Sequence, residues 1–210
     1  MKKRILLESD EILVQAIDAL TSCEPRFEYV LEHTGMPKLR LRPDGFQTLL
    51  QAIVSQQVSV AAANAIWSRL EIENFLDPNR ILKTNEERLN SVGLSRQKIR
   101  YAKALAAADL DYIALRRKSD EEVIRILTEV PGIGVWTAEI YAMFSLNRAD
   151  IFAAGDLALK ESARILFSLG ERPTEGELRQ LSTNWSPWRS VAALLLWDYY
   201  SFAKNREGVV

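Results

Sequence analysis

Cysteine and histidine are almost absent from this sequence, which has one of each among 210 residues. A single cysteine, Cys23, cannot form a disulfide within the chain, and it cannot supply the thiolates of an iron–sulfur cluster or of a cysteine-rich zinc site. A single histidine, His33, excludes a site with several histidine ligands and leaves no obvious Ser-His-Asp arrangement. Hydrolytic chemistry in this chain would therefore depend on carboxylates, hydroxyls or lysines.

Long hydrophobic runs are also missing. No stretch reaches 18 consecutive apolar residues, so no segment is typical of a membrane span. In the first residues, "MKKRILLESDEILVQ", the acids Glu8, Asp10 and Glu11 interrupt the apolar core that a secretory signal needs. The low cysteine content fits a reducing compartment. We expect a cytoplasmic protein without a membrane partner, associated with the nucleoid in a bacterium or located in the nucleus of a eukaryote.

An excess of positive charge is missing as well, because 27 basic residues face 28 acidic ones and the formal net charge is -1. A strongly basic chain would indicate nucleic-acid binding over a wide surface, so any DNA-binding surface here must be local. Three basic clusters are candidates, although each is also typical of an ordinary solvated surface. They are Lys38, Arg40 and Arg42; Arg96, Lys98, Arg100 and Lys103; and Arg116, Arg117 and Lys118.

Helical periodicity dominates what is present. Apolar residues recur at three- and four-residue steps in about ten short segments, the first of which runs from Ser9 to Ser22. No segment shows the alternation typical of a strand, and no internal repeat is visible. The sequence therefore predicts an all-α fold. The predicted helix starts are at Asn85 or Thr84, Ser95, Asp120, Asp156, Thr174 and Pro187.

One stretch, "VPGIGVWTAEI", places a tight turn between two helical segments. Glycine accepts backbone angles closed to other residues, and its missing side chain lets a large polyanion approach the backbone. The next helix begins near Val135, so its unpaired N–H groups and its dipole favour an anion. Gly132, Ile133, Gly134 and Val135 are therefore the candidate phosphate-binding residues, with Ile133 anchoring the turn from beneath. The simpler alternative is a helix–turn–helix corner with a glycine C-cap.

A second feature is Asp156, which follows "DIFAAG" and opens a helical segment 22 residues after Gly134. The preceding run would bring this aspartate to a helix start beside the hairpin. A carboxylate is stabilised at a helix N-terminus, where it can face a developing positive charge. The alternative is an ordinary N-cap aspartate with no further role.

Five motifs, in order from Pro43 to Tyr200, resemble those of one family. They are "RPDGFQTLLQAIVSQQVSVAAANAIWSRL", "GLSRQKIRYAKALA", "LTEVPGIGVWTAEIYAMF", "DIFAAGDLALK" and "WSPWRSVAALLLWDYY". Together they resemble the helix-hairpin-helix DNA glycosylase superfamily, and within it the alkylpurine or 3-methyladenine DNA glycosylase II type. The resemblance implies two helical lobes with the helix-hairpin-helix motif and an active-site cleft between them. It also implies that residues 1–45 pack with the C-terminal lobe, that 46–150 form a central lobe ending in the hairpin, and that 151–210 carry the catalytic aspartate.

The resemblance assigns roles to individual residues. Asp156 falls at the position of the catalytic aspartate, and Gln57 at the position whose side chain enters the gap left by a flipped base. Trp136 stands where bifunctional members carry a nucleophilic lysine, and an indole cannot form a Schiff base. The resemblance therefore implies a monofunctional enzyme without lyase activity. A polar residue at a helix start and a core tryptophan are the simpler interpretations of Gln57 and Trp136.

The resemblance also implies a base pocket. Trp136 and Trp197 would form its walls, since an electron-rich ring stacks on a cationic alkylated base. Ordinary core packing is the alternative, above all for Trp197. Ile140 and Leu157 stand where relatives can carry aromatic residues, which predicts a more aliphatic pocket. The neighbouring Tyr141 would face elsewhere on its helix.

Expected ligands and partners follow from the resemblance. It implies no iron–sulfur cluster and no other cofactor. It implies a structural Na⁺ or K⁺ bound by the backbone carbonyls of Thr128, Val130 and Ile133 when the hairpin holds DNA. The expected partner is double-stranded DNA that contains alkylated bases, bound by a monomer.

The implied reaction is hydrolysis of the N-glycosidic bond of 3-methyladenine, 7-methylguanine and related bases after base flipping. Alkylation makes the purine a cationic leaving group. Asp156 would stabilise the oxocarbenium-like sugar and orient or deprotonate the attacking water. Two alternatives stay open at this point: a non-catalytic helix-hairpin-helix DNA-binding module, and a glycosylase of the same superfamily with another damaged-base preference.

Overall fold

The fold is all-α, as the helical periodicity predicts. The computed structural model describes residues 4–206, and within this range it has thirteen α-helices and one short 3₁₀ helix. This part of the chain contains no β-strand, although Leu6 and Arg148 form an isolated antiparallel bridge. Over the same residues, no helix combines the length and the apolar character needed to cross a membrane.

The helices are short, and most of them begin at a side-chain cap. Their order along the chain is α1 (Asp10–Cys23), α2 (Arg26–Thr34), α3 (Phe46–Ser55), α4 (Val60–Ile72), α5 (Pro78–Lys83), α6 (Glu86–Ser91), α7 (Arg96–Ala107), α8 (Tyr112–Leu115), α9 (Asp120–Thr128), α10 (Val135–Phe144), α11 (Leu157–Leu166), α12 (Glu175–Ser182) and α13 (Arg189–Arg206). The 3₁₀ helix (Thr183–Trp185) lies between α12 and α13.

Four of the predicted helix starts are confirmed. Asn85, Ser95, Asp156 and Thr174 each accept a backbone N–H group at the starts of α6, α7, α11 and α12. These side chains satisfy N–H groups that the first turn of a helix leaves without an internal partner. Periodicity does not predict α5 and α8, because six and four residues are too few to show it.

Two predicted helix starts are wrong. Ser119, and not Asp120, caps α9, because its hydroxyl accepts the Glu122 N–H at 3.2 Å while the Glu122 carboxylate accepts the Ser119 N–H at 2.9 Å. This reciprocal pair satisfies two N–H groups, and Asp120 becomes the first helical residue. Pro187 does not open α13, which begins at Arg189, and the peptide bond before this proline is cis.

Residues Arg42–Tyr141 form one compact unit, which holds α3 to α9 and most of α10. The resemblance predicts a central lobe of residues 46–150. Compared with that prediction, the observed unit starts four residues earlier and ends nine residues earlier. Helix α3 packs against α4 and α7, and α5 packs against α7. This packing fixes the end of α3, from which a loop leads to α4. The buried face of α3 is the one that its spacing predicts: Phe46, Leu49, Leu50, Ile53 and Val54.

Within the described part of the chain, residues 4–41 and 142–206 form the second compact unit. Helix α13 packs against α2 and α11, and α1 contacts both α2 and α13. An aromatic core surrounds the buried Trp185, whose ring lies 5.4 Å from Phe27 and 5.5 Å from Phe152. Helix α11, which begins directly after Asp156, therefore belongs to this unit and packs along α13.

Candidate functional site

A tight turn joins α9 to α10, as the Pro-Gly-Ile-Gly sequence predicts. The Ile133 N–H donates to the Val130 carbonyl at 3.0 Å, and the Ala138 N–H donates to the Gly134 carbonyl at 3.0 Å, which begins the hydrogen-bond pattern of α10. The Ile133 side chain is buried, so it anchors the turn as expected. Gly134 is exposed, and the turn therefore offers backbone rather than side chain to solvent at this point.

The two glycines of the hairpin are required for different reasons. Gly132 has a φ of 95°, and a Cβ added there would lie 2.4 Å from the Tyr101 ring. Both facts exclude another residue at this position. A Cβ added to Gly134 would meet no atom within 4 Å. Steric packing within the described residues therefore does not require a glycine at position 134.

The N-terminus of α10 is exposed and suited to an anion. The first N–H groups of a helix have no intrahelical partner, and the helix dipole adds positive potential there. Val135 and Trp136, the first two residues of α10, are 47% and 46% exposed. Core packing is therefore the wrong interpretation of Trp136. Its indole lies at the surface, next to the candidate phosphate site.

The loop between α3 and α4 carries Gln57 at the surface. Gln57 is exposed and has a φ of 54°, a left-handed conformation that is uncommon for residues other than glycine. It does not start a helix, because Ser59 caps α4. The Gln56 amide donates to the Gly132 carbonyl at 2.9 Å, so the loop is bonded to the hairpin. The predicted wedge residue and the predicted phosphate site therefore belong to connected segments of one unit.

Lys98 lies beside the end of α3 and is not the surface residue that its basic cluster predicts. Its ammonium group donates to the Val54 carbonyl at 2.6 Å, near the end of α3, and the residue is only 8% exposed. Burial lowers the pKa of Lys98. Together with Gln57, Gln97 and Tyr101, it lines a polar cleft of about 290 Å³. Lys98 thus joins α7 to the last turn of α3 and is unsuited to a solvated phosphate contact.

Asp156 caps α11 and also receives a hydrogen bond from another helix. Its Oδ1 accepts the N–H groups of Ala158 and Leu159 at 2.8 and 3.1 Å, which confirms the predicted N-cap. The same oxygen accepts Nε1–H of Trp197, on α13, at 3.2 Å. A capping aspartate does not need this third donor. The half-buried carboxylate is therefore fixed by two helices at once.

Trp197 is itself held by a cluster of side chains. Its ring centre lies 5.8 Å from that of Phe144, and the Arg40 guanidinium lies over the indole at 5.6 Å. Arg40 Nη2 also donates to Asp198 Oδ1 at 2.9 Å. No local pattern in the sequence could reveal this cluster, because Arg40 and Asp198 are 158 positions apart. Arg40 is thus engaged within the protein, although its position in a basic cluster indicates a solvated charge.

The two predicted aliphatic pocket residues lie in different surroundings. Leu157, the first residue of α11, is 66% exposed directly after Asp156, whereas Ile140, on α10, is half-buried. Tyr141 is buried and its hydroxyl accepts the Gly45 N–H at 2.8 Å, so it faces elsewhere as predicted. Burial also raises the pKa of Tyr141 well above its usual range. Of the two, Leu157 is therefore the more accessible to a ligand, and it lies directly after the carboxylate residue.

The predicted metal ligands are backbone carbonyls of the hairpin. Across residues 4–206, no three His, Cys, Asp or Glu side chains are grouped in a way that could hold one. At the hairpin, the Val130 carbonyl accepts one hydrogen bond, from Ile133, and a carbonyl oxygen has two lone pairs. The Gly132 carbonyl likewise accepts one hydrogen bond, from the Gln56 amide. The carbonyls of Thr128, Val130 and Ile133 stay the predicted ligands of a monovalent cation.

Comparison of the sequence with known proteins finds relatives along most of the chain. A family model described as HhH-GPD superfamily base excision DNA repair protein matches residues 50–187. DNA-3-methyladenine glycosylase 1 of Schizosaccharomyces pombe is 35% identical over 177 residues, which cover 80% of this chain and 78% of the relative. Alkylbase DNA glycosidase-like protein mag2 of the same organism is 29% identical over 204 residues, which cover 91% of this chain and 96% of the relative.

Solved structures share the fold. A DNA-3-methyladenine glycosidase from Bacillus halodurans has a TM-score of 0.83 and 31% sequence identity, and the match covers 96% of this chain and 94% of that one. A 3-methyladenine DNA glycosylase of Schizosaccharomyces pombe, in complex with abasic DNA, has a TM-score of 0.76 and 31% identity, over 87% of this chain and 95% of that one. Both matches extend over residues of the two compact units.

Proposed function

Because this chain belongs to the HhH-GPD superfamily of base excision DNA repair proteins, we propose that it is a DNA glycosylase that removes alkylated purines from duplex DNA. The 35% identity to a DNA-3-methyladenine glycosylase supports this substrate class. One structural observation carries the catalytic assignment. The Asp156 carboxylate accepts the Trp197 indole N–H in addition to the two N–H groups that it caps.

DNA is held by the backbone of the hairpin. The N–H groups around Gly134 and Val135 bind a phosphate, and the absence of a side chain at Gly134 lets the DNA backbone come close. Thr128, Val130 and Ile133 would hold Na⁺ or K⁺ through their carbonyls when DNA is bound, and the cation would supply positive charge for the DNA backbone. The protein acts as a monomer.

Base flipping opens a gap in the duplex that Gln57 fills. This residue is exposed on a loop that Gln56 bonds to the hairpin, and the α3 residue Val54, just before the loop, accepts a hydrogen bond from Lys98. A loop that is bonded to the hairpin and follows an anchored helix end can insert a side chain without collapsing. Glutamine adds hydrogen-bonding groups that can pair with the base left behind. Its amide therefore both fills the gap and contacts the remaining strand.

The chemical step is hydrolysis of the N-glycosidic bond. Alkylation at N3 or N7 makes the base cationic, so it leaves with the bonding electron pair and needs little help from an acid. The sugar then carries positive charge at C1′ and its ring oxygen. The Asp156 carboxylate stabilises that charge and accepts the proton released when water adds to C1′. The three N–H groups that donate to this carboxylate keep it in position throughout the reaction.

The flipped base stacks on an indole. Trp136 is 46% exposed beside the phosphate site, and a cationic purine is attracted to the face of such a ring. Leu157 adds an apolar contact next to Asp156. An indole cannot form an imine with the abasic sugar, so the enzyme releases the base and leaves the strand intact.

An excision assay tests the proposal. Duplex oligonucleotides that carry 3-methyladenine, 7-methylguanine, hypoxanthine, 8-oxoguanine or mismatched adenine would each be incubated with the protein, and released bases would be measured by chromatography. We expect release of the two methylated bases. Release of 8-oxoguanine or mismatched adenine instead would assign another damaged-base preference. Binding of DNA without release of any base would leave only a DNA-binding module.

A further inference from the structure

Arg40 contacts two consecutive residues of α13. Its guanidinium lies 5.6 Å from the centre of the Trp197 ring, and its Nη2 donates to Asp198 Oδ1 at 2.9 Å. Consecutive residues on a helix point in different directions. One side chain that contacts both of them therefore limits the orientation of each. Arg40 reaches them from the segment after α2, outside any helix.

Trp197 connects this contact to Asp156. An indole has one hydrogen-bond donor, Nε1–H, and in Trp197 it points at Asp156 Oδ1 from 3.2 Å. The direction of that N–H follows from the plane of the ring. A guanidinium is attracted to the face of a tryptophan ring, so Arg40 opposes any rotation that would turn the N–H away from the carboxylate.

Asp198 in turn anchors Arg40. The side chain of Asp198 is 29% exposed and that of Arg40 is 43% exposed, so the ion pair is only partly in solvent. Burial raises the pKa of Asp198, and the Arg40 guanidinium opposes this rise. A partly buried carboxylate of this kind keeps its cation close. Arg40 is therefore held over the Trp197 ring by its ion pair with Asp198 and by its attraction to the ring itself.

We propose that Arg40 is a positioning residue for base excision, which acts through Trp197 to keep the Asp156 carboxylate oriented towards the sugar. The inference rests on the proposed function, because the orientation of Asp156 matters only if that carboxylate stabilises charge on the sugar. In this role Arg40 touches neither the base nor the sugar. A phosphate contact by Arg40 is the competing explanation for any loss of activity.

Single-turnover excision kinetics separate the two explanations. With excess enzyme and duplex DNA containing 7-methylguanine, we expect Arg40→Ala to lower the rate of base release about tenfold or more, since a small misplacement of a catalytic group has effects of this size. The affinity for DNA with a tetrahydrofuran abasic site is expected to stay within about twofold of wild type, because positioning does not involve phosphate contacts. An equal loss in rate and affinity would overturn the proposal.

Arg26→Ala is the matched control. Arg26 also lies over an aromatic ring of the same unit, 5.2 Å from the centre of Phe167, which follows the other end of α11. Arg26→Ala should excise at the wild-type rate. Arg40→Lys keeps a cation above Trp197 and should recover part of the lost rate, whereas Asp198→Asn should reproduce a smaller loss. Thermal unfolding of each variant checks that it folds.

An NMR measurement reports on the surroundings of the Trp197 indole N–H. With ¹⁵N-labelled tryptophan, the five tryptophans give five indole signals, and the one lost in Trp197→Phe belongs to Trp197. We expect this signal to shift in Arg40→Ala and to stay in place in Arg26→Ala. An unmoved Trp197 signal, or wild-type excision by Arg40→Ala, would overturn the proposal. A wild-type protein that releases no base is a different result, because it refutes the proposed function itself.

Discussion

The Gln56 amide donates to the Gly132 carbonyl at 2.9 Å and thereby joins two segments that lie 76 positions apart in the sequence. One segment carries Gln57, and the other carries the candidate phosphate site. Insertion of a side chain into the base stack and binding of a phosphate require a fixed spacing between these segments. The hydrogen bond therefore couples, within one unit, the two segments to which these proposed roles belong.

Removal of this coupling should weaken DNA binding. We predict that Gln56→Ala lowers the affinity for abasic-site DNA several-fold and lowers the free energy of unfolding by about 1 kcal/mol, the usual effect of one lost hydrogen bond. Gln51→Ala, at an exposed position of α3, is the control. Fluorescence anisotropy and urea unfolding measure the two effects. Wild-type affinity in Gln56→Ala would contradict the coupling.

The two hairpin glycines should respond differently to the same substitution. Gly132→Ala forces a Cβ into the Tyr101 ring at a positive φ, so we predict a loss of roughly 3 kcal/mol in the free energy of unfolding. Gly134→Ala should lower that free energy by only about 1 kcal/mol or less, because the added Cβ meets no atom of the protein and only the preference for glycine over alanine before the first helical residue is lost.

Gly134→Ala should nevertheless weaken DNA binding roughly tenfold, because the methyl group keeps a phosphate away from the backbone. Gel-shift titration and thermal unfolding of the two variants give the comparison. Two variants that lose stability equally, or a Gly134→Ala protein that binds DNA normally, would show that Gly134 serves the fold and not the ligand.

Local rules explain which parts of the structure the sequence predicts. The sequence predicts Asp156 and Thr174 as helix caps because a cap and its helix are adjacent in the chain. It predicts Ile133 as the anchor of the turn because this residue stands between two glycines. The true cap of α9 also has a local signal, since Ser119 and Glu122 have the spacing of a capping box. Asp120 is simply a second suitable residue one position later.

Contacts between distant segments are what the sequence does not predict. Lys98 stands among basic residues and looks solvated, yet the Val54 carbonyl, 44 positions away, accepts its ammonium N–H. The bond from Trp197 to Asp156 spans 41 positions. Each of these contacts depends on how helices pack, and periodicity describes only which face of one helix is buried.

Asp156 should be needed for excision and dispensable for folding. Asparagine is about as good an N-cap as aspartate, so Asp156→Asn should keep its stability while losing the charge that stabilises the sugar. We predict a fall of about 100-fold or more in the excision rate, with DNA affinity unchanged. Thr174→Ala is the matched control, because it should cost about 1 kcal/mol of stability at another cap and leave excision at the wild-type rate. Normal excision by Asp156→Asn would refute the catalytic assignment.

Glu161 should make the stability of the protein depend on acid pH. Its carboxylate receives hydrogen bonds from Arg164 and Arg172, and chiefly the bond from Arg164 lowers its pKa from 4.5 to about 2. The unfolded state therefore binds a proton first as the pH falls, so the stabilisation is complete above about pH 4.5 and disappears towards pH 2.

Substitution of Glu161 by glutamine removes this titration. We predict that the free energy of unfolding of Glu161→Gln falls less steeply between pH 5 and pH 2, by about 1–2 kcal/mol in total after allowance for the exposed arginines. Urea unfolding at intervals across this range measures the difference. Parallel curves for the two proteins would show that Glu161 does not carry the effect.

Trp136 should restrict the enzyme to base release. An imine between a lysine and the abasic sugar is trapped by borohydride, whereas an indole forms no imine, so we predict no covalent complex when wild-type protein and abasic DNA are mixed with borohydride. The strand should break only after hot alkali. Trp136→Ala should lower the excision rate roughly tenfold or more, because the stacking that it removes contributes about 1–3 kcal/mol per base. Trp136→Phe keeps an aromatic ring and should retain most of the activity. A bifunctional glycosylase serves as the positive control for trapping. A borohydride-dependent complex with the wild-type protein would mean that an amine, such as a lysine elsewhere in the chain, reaches C1′ of the abasic sugar.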